Sequence, residues 1–167
     1  MKQTLKYIIS QFMQHRKFAE DKHSITIALS SAVIIFFSGF MANSNQIVQF
    51  LSALSIIFAL ISVLYSFFAL TVKRVKTKSK HSATEGNLLD WKNVAKFDEE
   101  LYLVALRKQY EFPKSYRFDN FDRNLATEAI ALAKAVNFKF LYFNIALLFL
   151  GLSIVFGVIV ICLVGTI

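Results

Sequence analysis

The sequence predicts an α-helical integral membrane protein, with three transmembrane helices and a small, mainly helical cytoplasmic domain between the second and the third. Three observations carry this reading. From Ser24 to Val72 there is no Asp, Glu, Lys, Arg or His, and a second uncharged run fills the chain after Lys139. A helix rises about 1.5 Å per residue and crosses about 30 Å of hydrocarbon in about 20 residues, so the first run holds two passes and a turn and the second holds one. All 19 Lys and Arg and all 11 Asp and Glu lie before Ser24 or between Lys73 and Lys139. Basic residues accumulate on the cytoplasmic side, so residues 1–23 and 73–139 are expected there and the C-terminus on the opposite face. The same placement accounts for the net charge of +8 without invoking nucleic acid.

Residues 1–23 form an amphipathic N-terminal segment. Leu5, Ile8, Ile9 and Phe12 share one helical face, the pattern of a helix lying at the lipid surface. Ala42, Asn43 and Ser44 loosely resemble a cleavage site, but the leader is too long and the apolar run too extended for a signal peptide.

The hairpin at 24–72 divides into helices at about 24–42 and 47–71. Ala42, Asn43, Ser44, Asn45 and Gln46 form the only polar cluster inside it, and chain reversal needs backbone groups that reach water. Small residues recur in both helices. The first carries Ser24, Ala28, Ser31, Ser38 and Ala42 at heptad spacing with only Ile35 large, and the second carries Ser52, Ser55, Ala59, Ser62, Ser66 and Ala69. Such stripes let helices approach closely with a left-handed crossing. Packing is the reading adopted for them; the functional counterpart is a serine-lined path for water or ions.

Residues 73–139 are the expected cytoplasmic domain. Lys73, Arg74, Lys76, Lys78, Lys80 and His81 hold the end of the second span inside and face anionic headgroups, and 79–86 reads as a flexible link. Residues 87–97 carry Leu88, Leu89, Trp91, Val94 and Phe97; periodicity leaves strand, helical turn and docking segment open. Asp98 is an N-cap candidate, with Glu99 and Glu100 in the first turn of a helix that bears Leu101, Val104 and Leu106 and closes on Arg107 and Lys108. The one proline, Pro113, marks a break after Phe112. A second helix starts near Asp119 or Asn120 and turns Phe121, Leu125, Leu132 and Val136 inward. No Gly or Pro interrupts it before Gly151, so it is expected to continue directly into the third span at 140–164, leaving 165–167 as an outer tail. Asn144, one of the few polar groups of that span, is expected to hydrogen-bond a neighbouring helix.

No phosphate-binding glycine loop, HExxH, paired Cys ligands or nucleophile with an evident base is present. The sequence therefore predicts no enzyme, no cofactor, no catalytic residue and no metal site. Cys162 is the only cysteine, and His15, His23 and His81 lack ligand partners and are expected at surfaces or interfaces. The soluble part does set aromatics beside cations: Trp91 and Lys92, Tyr102, Arg107 with Lys108 and Tyr110, Tyr116 with Arg117, Phe121 with Arg123. A nucleotide needs a cation for phosphate and a flat side chain for its base, and Asp or Asn can read a pyrimidine edge.

The order of segments resembles the transmembrane effectors of Pycsar antiphage systems, the PycTM family. AEDKHS enters the first span, NLLDWKNVAKFDEELYLVAL follows the hairpin, and a soluble helix runs into the last span. The most specific piece is Asn87, Leu88 and Leu89, then Trp91, then Asp98 to Glu100 leading to Tyr102. Asp21 and Lys22 match the usual entry to the first helix, while His23 stands where a small residue is commoner.

The resemblance implies a bacterial inner-membrane effector that binds a cyclic pyrimidine mononucleotide, cCMP or cUMP, made by a partner uridylate or cytidylate cyclase during phage infection. It then impairs the membrane and arrests or kills the infected cell. Three helices alone enclose no obvious pore, so a homo-oligomer is expected, and from the residues themselves the candidates are Arg107, Lys108, Arg117 and Arg123 for phosphate and Trp91 or Tyr102 for the base. Two other readings stay open: a membrane scaffold that docks a protein through 87–97, and a small channel subunit gated otherwise.

Overall fold

The computed structural model describes residues 1–43, 45–72, 87–113 and 115–165. The basic run at 73–81 and the link at 79–86 lie outside the described residues. The helices are α1 Lys2–Ser38, α2 Gln46–Thr71, α3 Trp91–Val94, α4 Glu99–Gln109 and α5 Asn120–Gly165, with a 3-10 turn at Gly39–Ala42 after α1. Three helical stretches, Lys2–Ala42, Gln46–Thr71 and Asn120–Gly165, are long and apolar enough to cross a membrane.

The chain forms two compact units. One joins Met1–Ala19 to Val72–Lys139; the other joins Glu20–Thr71 to Phe140–Ile167. The expected N-terminal segment and first span are one helix, because nothing between Lys2 and Ser38 is a Gly or Pro. The expectation of an uninterrupted helix into the third span also holds: α5 is 46 residues long, about 69 Å at 1.5 Å per residue.

In the apolar unit, α2 buries Val48, Ser52, Ser55, Ala59, Ser62, Ser66 and Ala69, which includes every member of its small-residue stripe. The stripe meets α5 in antiparallel register. The Ser55 hydroxyl donates to the Ser153 carbonyl at 2.9 Å and the Ser153 hydroxyl to the Ser55 carbonyl at 2.7 Å. Ser30 of α1 donates to the Ser62 hydroxyl at 3.2 Å, which donates to the Ala146 carbonyl at 2.8 Å, so one relay ties three helices. Beside the small residues runs an aromatic ladder. Phe58 stacks on Phe149 and Phe156, Tyr65 stacks on Phe149, and Tyr65 and Phe68 tilt against Tyr142. Phe58 and Tyr65, and Tyr142, Phe149 and Phe156, repeat at heptad spacing, the period of a left-handed pair.

The first small-residue stripe does not pack. Ser24, Ala28, Ser38 and Ala42 are exposed and Ile35 is 75% exposed. The serines there satisfy their hydroxyls within α1, on the carbonyls of Glu20, Ile27 and Ile34, and so need no partner helix. The buried face is His23, Thr26, Ser30 and Phe37. His23, expected at a surface or interface, lies edge-on to Phe143 at 5.8 Å, while Phe37 fills the space over Gly157, where a Cβ would overlap its ring. Asn144 is exposed.

The second unit corrects the lipid-surface reading of the N-terminus. Leu5, Ile8, Ile9 and Phe12 are buried in one core with Leu88, Val94, Phe97, Tyr102, Leu103, Leu106, Leu125, Ala126, Ala129 and Ile130. An amphipathic stripe records only that one face leaves water; here protein takes it up. Residues 87–97 resolve as a single capped turn, α3, with Asp90 Oδ1 accepting from the Lys92 N–H at 3.0 Å. Its apolar side chains Leu88, Val94 and Phe97 are core, so they do not offer an exposed docking strip.

Helix α4 starts after Asp98, as expected, but the Asp98 side chain makes no capping hydrogen bond. It buries Tyr102, Leu103 and Leu106 and leaves Leu101 and Val104 exposed. It ends in a six-to-one bond from the Phe112 N–H to the Arg107 carbonyl, with Glu111 at φ 53° where glycine is usual, just ahead of Pro113. At the start of α5, Asp119 Oδ1 accepts from the Asp122 N–H at 2.7 Å and Asp122 Oδ2 from the Asp119 N–H at 3.4 Å, a reciprocal capping pair. Leu125, Leu132 and Val136 point inward, whereas Phe121 is exposed and lies under the Lys2 and Lys6 ammoniums.

Two stability effects follow. Phe12→Ala should destabilise the protein by about 3–5 kcal/mol in urea unfolding; a lipid-facing stripe would instead show unchanged stability and weaker vesicle binding. Gly157→Ala should lower stability in detergent by about 1–3 kcal/mol through overpacking, and adding it to Phe37→Ala should remove nothing further.

Candidate functional site

The six expected site residues all belong to the unit built from Met1–Ala19 and Val72–Lys139, but the fold does not gather them. Arg107 and Arg123 share one groove between α4 and the first turns of α5. Its walls are Glu100, Leu103, Val104, Arg107, Phe118 and Arg123, and its volume is about 240 Å³. The Arg107 guanidinium lies 5.4 Å from the centre of the Phe118 ring. Arg123 Nη1 is 3.2 Å from Glu100 Oε1 and 3.7 Å from Glu99 Oε1, and Glu99 Oε2 also accepts from the Thr127 hydroxyl at 2.9 Å. A phosphate entering here meets the Glu100 carboxylate already seated on the cation it needs.

The other four stand apart. Lys108 and Arg117 are exposed and line neither this groove nor the second cavity described below. Trp91 packs its ring on His15 of α1, centroids 4.6 Å apart. Tyr102 belongs to the core: it is wholly buried, touches Phe97, and its hydroxyl donates to the Leu88 carbonyl at 3.3 Å. Burial, and secondarily Tyr110, hold its phenol far above the ordinary range. It has no exposed ring face on which a base could stack, so the base-stacking role expected of it is not available in this fold.

A second cavity was not read from the sequence. It lies between α1 and α5 in the same unit, has a volume of about 490 Å³, and is lined by Met13, Arg16, Asn124, Thr127, Glu128, Ala131 and Leu132. The signal was present: Asn124, Glu128 and Ala131 recur at i, i+4 and i+7 on one face of α5, and Met13 and Arg16 at i and i+3 on α1. The spacing points to a cavity only when the two helices face each other, and a lipid-surface reading of Met1–His23 leaves the α5 face without its opposite wall. Among the described residues no group of three or more His, Cys, Asp or Glu side chains could hold a metal ion.

A third cluster ties the start of α1 to the start of α5. Lys2 Nζ is 2.7 Å from Asp119 Oδ2, and the Tyr116 hydroxyl donates to Asp122 Oδ2 at 2.9 Å. The bond from Lys2, then the Asp122 N–H, hold the Asp119 carboxyl below the ordinary carboxylate value. Asp119 in turn raises Lys2, and the bond to Asp122 raises Tyr116.

A protein-family model described as the Pycsar effector protein domain, PycTM, matches residues 4–166. No curated protein and no solved structure matches the chain.

The Lys2–Asp119 pair sets a pH window. Asp119 is lowered, so its contribution is present above the ordinary value of 3.8 and is lost as pH falls through the lower folded value. Lys2 is raised, so its contribution is present below 10.5 and is lost as pH rises through the higher folded value. In thermal unfolding, the difference between wild type and Asp119→Asn should stay constant between about pH 5 and about pH 9 and close only outside it.

Proposed function

The chain belongs to the PycTM family of Pycsar effectors in antiphage defence, and on that premise we propose that it is a membrane effector that binds a cyclic pyrimidine mononucleotide, cCMP or cUMP. A partner cyclase makes the nucleotide during phage infection; the bound effector impairs the inner membrane and the infected cell stops growing or dies. The observation that carries this reading is the family match over residues 4–166. Three apolar helices supply the membrane part, and the charged unit that holds both cavities supplies the sensor. By the placement of Lys and Arg, the sensor and the N-terminus face the cytoplasm and the C-terminus the periplasm.

Helices α1 and α5 each contribute residues to both units, and they carry the signal. A ligand shifts an equilibrium only by binding one arrangement better than the other. The nucleotide therefore favours an arrangement of α1 and α5 in which the hydroxyl pairs Ser30–Ser62 and Ser55–Ser153 exchange partners with helices of neighbouring copies. Self-association is part of the mechanism, since three helices from one chain enclose no pore.

The test uses the full-length protein in nanodiscs and in dye-loaded vesicles. Calorimetry should show binding of one pyrimidine cyclic nucleotide in preference to the other and to cAMP, and dye release should require that nucleotide. Absence of binding by all three, or dye release that ignores nucleotide, would overturn the reading.

A further inference from the structure

We infer that the exposed face of α4 is a contact between two copies of this chain, which pair there as antiparallel helices about a two-fold axis at Val104. This rests on the self-association in the functional reading above and adds to it a place and a symmetry.

One face of α4 is core and the other is not. Tyr102, Leu103 and Leu106 are buried, whereas Glu100, Leu101, Val104 and Lys108 are exposed, Leu101 at 42% and Val104 at 45%. Glu100, Val104 and Lys108 stand at i, i+4 and i+8, in line along the outer surface of the helix. At 1.5 Å per residue the acid and the base lie about 6 Å to either side of Val104 along the axis. The outer face therefore reads acid, apolar, base, with the apolar residue at its midpoint. Glu111 lies past the end of α4 and outside this span.

Such an order is complementary to itself. Across a two-fold axis a patch meets its own copy, so that residue i touches j while j touches i. With the axis at Val104, the two Val104 side chains meet, Glu100 comes opposite the partner's Lys108, and Leu101 covers the aliphatic stem of that lysine. A parallel pair would set Glu100 on Glu100 and Lys108 on Lys108, which like charges oppose. Arg123 holds Glu100 Oε1 at 3.2 Å yet leaves the Glu100 side chain 73% exposed, so the carboxylate can serve both cations. The patch is only a few side chains wide, well below the roughly 1,200 Å² of a stable dimer between free proteins. Copies confined to one membrane need less, because confinement raises their effective concentration. An isologous contact also closes at two copies, so by itself it makes pairs and not rings.

The experiment is disulfide trapping of the full-length protein in vesicles without nucleotide, in a Cys162→Ser background. Val104→Cys is compared with Leu89→Cys, an exposed position of the same unit outside α4. Val104→Cys should yield covalent dimer efficiently, and Leu89→Cys only the background of random collision. Energy transfer between labelled copies in the same vesicles should show Glu100→Lys or Lys108→Glu weakening the pair by roughly 10-fold, since each replaces two attractions with two repulsions. The double exchange should restore it. A Val104→Cys yield no higher than that of Leu89→Cys, or a double exchange no better than either single one, would overturn this assignment and leave the face to lipid headgroups or another protein. If energy transfer persists in that case, self-association stands and only its place is wrong. Copies that stay apart with and without cCMP and cUMP would overturn self-association as well.

Discussion

The apolar unit depends on one requirement: in hydrocarbon a hydroxyl or a carbonyl has no water to turn to. Ser55 and Ser153 meet it reciprocally, each hydroxyl bonding the other residue's carbonyl. That exchange is possible only where two backbones come close, which in turn demands small residues along the rest of the seam. Ser52, Ala59, Ser62, Ser66 and Ala69 on α2, with Ala146 on α5, are those residues, and all are buried. Bulky groups are thereby displaced to the flank, where Phe58 and Tyr65 stack with Phe149 and Phe156. The close approach at this pair thus places the small stripe and the aromatic ladder side by side, while the Ser52 and Ser66 hydroxyls of the same stripe are buried without a hydrogen-bond partner among the described residues.

The charged unit is held differently, by burial of apolar side chains. Its core needs the start of α1, whose Leu5, Ile8 and Phe12 are wholly buried beside Tyr102, Leu103 and Leu106. The capping residues of α5 double as the tie to that segment, since Asp119 caps through Oδ1 and receives Lys2 on Oδ2. An N-terminal segment that resembles a leader in the sequence is a structural wall of the unit, and its Met13 and Arg16 line the α1–α5 cavity.

How much of this was legible depends on whether a residue's meaning was local. Spans and helix ends were, because the absence of charge from Ser24 to Val72, the break at Pro113 and the acidic start at Asp119 each act on their own neighbours. The α2 stripe was also legible, since small residues at unbroken heptad spacing have few uses in lipid. The matching stripe on α1 misled, because Ser24, Ser31 and Ser38 satisfy themselves on carbonyls one turn back; sequence shows a hydroxyl but not what it bonds. The destination of the Leu5–Phe12 stripe was equally hidden, as lipid and protein reward the same pattern. The candidate site suffered most. Tyr102 carries the right chemistry but is core, and Arg123 is held by Glu99 and Glu100 from another helix, whereas Asn124 and Glu128 acquire meaning only once α1 stands opposite them.

Magnitudes connect the two units on the proposed reading. Interhelical hydrogen bonds in membranes contribute on average about 0.6 kcal/mol each and aromatic pairs about 0.5–1.5 kcal/mol beyond their area, so the seam of α2 and α5 is a sum of small terms. Taking a two-state equilibrium from about 1:99 to about 99:1 requires a ligand to favour one state by about 5.5 kcal/mol. One charge-assisted phosphate contact does not reach that figure, since hydrogen bonds to charged groups contribute about 1.5–3 kcal/mol each. A guest that engages α1 and α5 at once can approach it, provided its contacts exist together in only one arrangement of the two helices. A ligand held by a single helix would bind both arrangements alike and shift nothing, however tightly it bound.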